Sequence, residues 1–296
     1  MATSLPIITV LNATGTQGTS VVRRVAEYGR YAIRALTRNP NSEKALELGK
    51  LANVTIMDSA DLDAAFKSAF AVYAYGLGDE TEVTAIKKAA DAAAKAEVAA
   101  FIYSALPSIE KETSGKIKDV YHFEFKHEVE KYLETVKLHS IILYLANFTE
   151  NFLKYGFLKY EKDEFTLTLN SADVSTELPM LYVERDLGNA VVLILDNCSN
   201  VSELWDSPII VSSYKIPYGD HVDILESVSG RKVNPVITDT FTESKDTKFD
   251  VMRKYFDEYG FFKGHITPDP RLIALGFVPH TFEHYVRNEI MPAFNL

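Results

Sequence analysis

The run Ile7-Ile8-Thr9-Val10-Leu11-Asn12-Ala13-Thr14-Gly15-Thr16-Gln17-Gly18 joins a short apolar segment to a G-x-x-G-x-x-G loop whose first position holds Asn12. Five mostly β-branched residues read as a buried strand, and residues 18–28 beyond the loop carry apolar side chains at helical spacing. Glycines at such a turn allow a tight bend, let backbone N–H groups approach an anion and let the helix pack closely, while the helix N-terminus favours negative charge. Asn12 suits the first position because asparagine tolerates a left-handed backbone better than most residues. An ordinary strand-to-helix turn is the plain alternative. A second strand about twenty residues on favours a dinucleotide pyrophosphate instead.

Outward from this loop, apolar β-branched runs alternate with helical stretches, the pattern of a parallel sheet covered by crossover helices. Strands are expected at residues 7–11, 32–37, 53–57, 71–75, 99–103 and 140–145, with helices at 18–28, 42–50, 62–68, 82–95 and 123–135. With right-handed crossovers these make a doubly wound α/β sheet of Rossmann type. Residues 1–150 are assigned to this domain, with return elements within about 181–213: a helix at 185–196 and a strand at 208–212. Residues 151–180 and 214–296 are assigned to a smaller C-terminal α+β lobe facing a substrate or partner. Its tail from Lys215 reads as mainly helical, with an aromatic cluster at Tyr255, Phe256, Tyr259, Phe261 and Phe262. The alanine-rich run from residue 89 to 100 reads as helix, alanine being the best helix former.

At the end of the second strand, where an acidic residue would hold the ribose hydroxyls of NAD, stands Thr37-Arg38-Asn39. A guanidinium there pairs with a 2′-phosphate and no carboxylate repels it, so the expected cofactor is NADP(H) rather than NAD(H); a solvated surface arginine is the alternative. Asp58 and Ser59 follow the third strand, where an adenine ring rests in this fold, and an Asx-turn would serve them equally.

Composition narrows the partners. The 31 basic and 41 acidic residues among 296 give a net charge of -10, which argues against non-specific binding to nucleic acid or anionic membranes. With 47% hydrophobic residues the chain can bury a sizeable core, and a soluble protein is expected. Its single cysteine, Cys198, excludes an intrachain disulfide and reads as a small buried apolar residue. The first residues lack the basic and apolar regions of a secretory leader, and the apolar stretch 190–195 is too short to span a bilayer. A cytoplasmic or also nuclear location is expected.

Four segments taken in order resemble the NmrA-like family of atypical short-chain dehydrogenases: the Asn12–Gly18 loop, Thr37-Arg38-Asn39-Pro40, the stretch from Lys126 to Tyr132, and Phe148-Thr149-Glu150-Asn151-Phe152. Asp186-Leu187-Gly188 and the closing Leu275-Gly276-Phe277 extend the likeness over nearly the whole chain, nearest the HSCARG-type NADPH-sensor branch. The resemblance implies cofactor contacts from Asn12, Thr14, Gly15, Thr16, Gln17, Gly18, Arg38, Asn39, Asp58, Ser59, Gly76, Leu77, Lys126, Phe148 and Asn151. Departures are Asn12, where many relatives have glycine, and Ala146 in place of a common proline.

Short-chain dehydrogenases use a tyrosine four residues before a lysine, so that both share a helix face. Four residues before Lys126 stands His122, with Tyr121 displaced by one position. Three readings of Lys126 follow in order: a nicotinamide-ribose ligand, as the resemblance implies; a lysine-assisted reductase with His122 as proton donor; and a solvated helix lysine beside Glu130. Ser104 after the fifth strand could orient a substrate or simply serve a turn. His280-Thr281-Phe282-Glu283-His284 matches a zinc-protease pattern but is read as a terminal packing helix, so no metal is expected. The leading expectation is an NADP(H)-binding regulatory or redox-sensor protein with a protein partner. The alternative is an NADPH-dependent reductase of a small carbonyl, enone or quinone substrate.

Overall fold

The computed structural model describes residues 4–169, 171, 173–237 and 247–296. Its frame is a seven-stranded, wholly parallel sheet: β1 (Ile7–Val10), β2 (Ala32–Thr37), β3 (Val54–Asp58), β4 (Ala69–Ala74), β5 (Ala100–Ala105), β6 (Ser140–Leu145) and, after β7 to β10 defined below, β11 (Ile209–Val211). The order β11-β6-β5-β4-β1-β2-β3 makes the chain step outward from β1 to β3 and then return to β4 on the other side of β1. That reversal opens a crevice at the carboxyl ends of β1 and β4, the switch point where ligands of doubly wound sheets bind.

Both faces of the sheet are covered, which explains why its strands read as near-continuous apolar runs. Ala71 and Tyr73 enter one buried cluster while Val72 and Ala74, pointing the other way, enter a second. Against the first face lies α1 (Thr16–Tyr28), whose Val21, Val22 and Val25 are fully buried, each worth roughly 1.5–3 kcal/mol in burial. The second face is covered by α3 (Leu62–Phe66), α4 (Glu80–Lys95) and the apolar stripe Val129 and Leu133 of α6 (Tyr121–Leu133); α2 (Glu43–Leu48) and α5 (Ile109–Glu112) complete the connections. Expected and observed boundaries agree to within one or two residues at most ends. The alanine-rich run does not remain helical to residue 100: α4 ends at Lys95, Glu97 takes a positive φ of 54°, and Ala100 opens β5.

The remainder is less helical than the sequence suggests. After β7 (Asn147–Phe148) and α7 (Asn151–Lys154), the hairpin β8 (Leu158–Glu161) and β9 (Glu164–Leu169) turns through Lys162 and Asp163, and β10 (Glu177–Leu181) follows. Two small sheets form, β12-β10-β7 and β13-β9-β8, using β12 (Tyr214–Pro217) and β13 (Val233–Ile237) from the tail expected to be mainly helical. The helix expected at 185–196 is a π-helical turn, Val183–Leu187, running into α8 (Gly188–Asn197). Gly188 is required there, since a Cβ would lie 2.5 Å from Arg24 Cβ and 2.7 Å from the Ser20 carbonyl on α1. Beyond them come α9 (Tyr218–Ser229), α10 (Thr247–Tyr259), α11 (Pro270–Ala274) and α12 (Phe282–Tyr285); the part of the tail at 238–246 lies outside the described residues. Tyr255, Phe256 and Phe261 of the expected aromatic cluster set their rings edge-on around Phe123 of α6 at 5.9–6.5 Å. Among the described residues no helix is long and apolar enough to cross a membrane.

Candidate functional site

The crevice is built first from the β1–α1 loop. Asn12 adopts a φ of 49° and donates from Nδ2 to the Tyr75 carbonyl at 2.7 Å, so the left-handed conformation expected of a glycine substitute is present and pinned. Gly15 is the N-cap of α1 and offers no side chain to its first amides. Gly18 packs where a Cβ would meet the Asn12 carbonyl at 2.5 Å and Ala13 Cα at 2.7 Å. The loop therefore has the cradle form that a pyrophosphate needs. Gly15 has a second reason to be glycine, one the sequence reading missed: a Cβ there would lie 2.2 Å from the Tyr75 hydroxyl. That hydroxyl donates to the Asn12 carbonyl at 2.8 Å and accepts from the Gly18 amide at 3.4 Å, and burial pushes its pKa up to about 12. Gln17 is buried and accepts from the Tyr73 hydroxyl at 2.9 Å, a bond that fixes the helix start on the sheet. Thr16 opens the helix.

Parallel pairing brings the next strand ends alongside. The Ala13 amide donates to the Leu36 carbonyl at 2.8 Å, and the Ser59 amide to the Thr37 carbonyl at 3.1 Å. Thr14, Thr37, Arg38, Asn39, Ser42, Glu43 and Lys44 line a concavity of about 410 Å³. Arg38 and Asn39 are exposed on its wall, with the Asn39 amide held by Thr37 Oγ1 at 3.3 Å. Lys44, a second cation here, was not singled out from sequence; its position six residues beyond Arg38, on α2, gives it away only once the turn capped by Ser42 is seen. Asp58 forms the Asx-turn allowed for it, accepting from the Ala60 amide at 2.9 Å.

On the other side of the switch point, the loop after β4 meets the start of α6. A Cβ on Gly78 (φ 79°) would approach His122 Cβ to 2.9 Å, and Lys126 Nζ lies 3.4 Å from the Gly76 carbonyl; Leu77 between them is 72% exposed. Gly76, Leu77, His122 and Lys126 are thus gathered as expected. The reading of Lys126 as a solvated lysine beside Glu130 is corrected. Its side chain is 10% exposed and forms a 2.7 Å ion pair with Glu82, whose side chain is fully buried, while Glu130 accepts from the Tyr144 hydroxyl. Glu82 also accepts from the Tyr103 hydroxyl at 2.7 Å and from the Gly78 amide at 2.6 Å. Burial pulls the Lys126 pKa down, against the opposing pull of Glu82. Burial, and then the Glu82 charge, push the Tyr103 hydroxyl far above the usual phenol range. Ser104 is not at a turn after β5 but inside it and buried.

Phe148 and Asn151 lie beyond the same carboxyl edge of the sheet, past the end of β6, both half-buried. The zinc-like motif is otherwise employed: His280 binds the buried Asp186 through its amide at 3.0 Å and its ring Nδ1 at 2.5 Å, and Glu283 pairs with Arg287 at 2.7 Å. Among the described residues no group of three or more metal-ligating side chains is assembled.

The family model described as NmrA-like family matches residues 6–285. An NmrA-like family domain-containing protein of Dictyostelium discoideum is 28% identical over 95% of this chain and 96% of its own length. An NmrA-like family domain-containing oxidoreductase of Aspergillus hancockii is 28% identical over 78% and 75%. Among solved structures, NmrA, described as a negative transcriptional regulator, superposes in its NADP complex with a TM-score of 0.83 at 22% identity, over 99% of this chain and 97% of that one. Its NAD complex gives 0.85 at 21%, over 99% of each. At these identities the solved structures bear on the fold.

Proposed function

This chain belongs to the NmrA-like family, and on that premise we propose that it binds NADP(H) across the switch-point crevice and acts as a regulatory protein read by a protein partner according to cofactor occupancy. The Asn12–Gly18 cradle would hold the pyrophosphate, Arg38 with Lys44 the 2′-phosphate, Asn39 and the Asp58–Ser59 turn the adenosine side, and Gly76, Leu77, Lys126, Phe148 and Asn151 the nicotinamide side. NADP and NAD complexes of NmrA support a nicotinamide dinucleotide in this fold; two cations, Arg38 and Lys44, against the one carboxylate, Glu43, that the sequence reading left out of the concavity, support the phosphorylated form. When bound, the nicotinamide ring supplies reversible hydride transfer.

The observation that carries the regulatory reading is the Lys126–Glu82–Tyr103 network. A dehydrogenase lysine lowers the pKa of a substrate-facing tyrosine. Here burial and then the carboxylate that stands between lysine and tyrosine raise the phenol pKa instead, and Tyr103 is fully buried. Tyr103 in this network presents no phenol proton to a substrate. The second reading, an NADPH-dependent reductase of a small carbonyl, enone or quinone, rests on relatives named oxidoreductases and on His122 one turn before Lys126 beside the Gly78 loop. The proposal carries with it a cytoplasmic or nuclear location, on the compartment argument from the single cysteine.

Hydrogen exchange with and without NADPH, alongside a turnover screen, tests the choice. Protection of the loops at Gly76 and Phe148–Asn151 without NADPH oxidation across aldehydes, ketones, enones and quinones is expected. Turnover that collapses in both His122→Ala and Lys126→Ala would establish the reductase instead.

A further inference from the structure

We propose that Glu82 is a specificity-determining residue for the oxidation state of the cofactor: its buried carboxylate favours the oxidised nicotinamide ring, and the Lys126 ammonium offsets that bias. This rests on the cofactor reading above and deepens it. In a doubly wound sheet, a pyrophosphate at the start of α1 and a 2′-phosphate beside β2 leave the nicotinamide half to the far side of the switch point, over the ends of β4 and β5. Glu82 and Lys126 stand there: Lys126 Nζ bonds the Gly76 carbonyl at the β4 end, and Glu82 bonds Tyr103 of β5.

Oxidised and reduced rings differ by one positive charge, so fixed charge nearby discriminates between them, most strongly where water is excluded. Glu82 is fully buried and its oxygens accept from Tyr103, Lys126 and the Gly78 amide. Together these three donors engage both carboxylate oxygens. The loop after β4 packs directly on this side chain, since a Cβ on Gly76 would lie 2.1 Å from Glu82 Cγ. Lys126 stands on one side of this carboxylate with its own charge, and Asp79, at the exposed start of α4, adds a second negative group that acts on Lys126. The neighbouring titratable groups are Tyr103, neutral, and His122 at the Gly78 loop. Removing the ammonium alone would expose the full bias of Glu82; removing both charges would cancel it.

The test is a cycle of wild type, Glu82→Gln, Lys126→Met and the double variant, each titrated with NADP+ and with NADPH, folding checked by thermal melting. Loss of a ribose contact lowers both affinities and cancels in their ratio. Lys126→Met keeps the Tyr103 and Gly78 donors to Glu82, and should shift the ratio toward NADP+ by about tenfold, as expected of one partly screened unit charge. The double variant should return it to within about threefold of wild type. If the double variant fails to fold, Glu82→Gln alone should shift the ratio toward NADPH, the opposite direction to Lys126→Met. Ratios within twofold of wild type in Lys126→Met and Glu82→Gln, with both cofactors still bound, overturn the role of Glu82. A wild-type protein that binds neither cofactor overturns the cofactor reading itself.

Discussion

Arg38 and Gly15 carry the sharpest residue-level expectations. A guanidinium on a phosphate makes charge-assisted, bidentate bonds, so Arg38→Ala should weaken NADPH by roughly 1.5–3 kcal/mol and NADH much less. Lys44, a point charge in the same concavity, should show the same selectivity with a smaller loss on Lys44→Ala. Equal losses for the two cofactors, measured by nicotinamide fluorescence, would remove the 2′-phosphate from this pocket. At Gly15 the structure adds Tyr75 as a reason for glycine that does not depend on any ligand. Gly15→Ala should displace the Tyr75 ring and destabilise the protein by about 1–3 kcal/mol. Tyr75→Phe on top of it should recover part of that loss, because the next contacts of the new Cβ lie at 3.4 Å. Strict additivity of the two substitutions in thermal melts would refute the clash. Asn12 was legible in sequence because its left-handed tolerance is intrinsic; the Tyr75 contact was not, because 60 residues separate it from Gly15 and nothing local marks it.

At the scale of elements, His221 shows how the small sheets are fastened. It lies on α9 among Phe152 of α7, Tyr214 of β12 and Phe282 of α12, with ring centroids at 4.5–5.7 Å, and donates from Nδ1 to the Pro217 carbonyl at 3.0 Å. Its Nε2 is buried without a hydrogen-bond partner among the described residues, and burial pushes the pKa down to about 4. The unfolded chain therefore binds a proton near pH 6.5 that the folded protein refuses until about pH 4. Stability from this group is intact above the unfolded value and falls as pH drops through that window, by up to roughly 3 kcal/mol. His221→Phe should flatten the slope of stability between pH 6.5 and 4 in urea titrations while changing little at pH 8; an unaltered slope would show that His221 is not the titrating group. The parallel core was readable element by element, since doubly buried strands such as β4 and β5 are apolar runs bounded by helices. β12 and β13 were not: their pairing with β10 and β9 joins Tyr214 to Met180 and Val233 to Phe165, and such long-range partners decide strand against helix where local pattern is weak.

Across the whole molecule, one division of labour accounts for the crevice. Loops after β1, β2 and β3 supply the cradle and Arg38, legible because they follow strand ends in a fixed order, while Lys44 on α2 was not. The side after β4 and β5 depends on Glu82, hidden in an otherwise ordinary helix start until the fold sets it against Lys126, 44 residues away. A charged residue in a helix reads as solvated unless its tertiary partner is known, which is why Glu82 was not legible as the counter-ion of Lys126. Fluorescence titration of the purified wild-type protein with NADPH and NADH in parallel is the direct test of the central claim. Saturable binding with NADPH favoured by about tenfold or more is predicted from the added phosphate contacts; equal affinity for the two, or no binding of either, would contradict it.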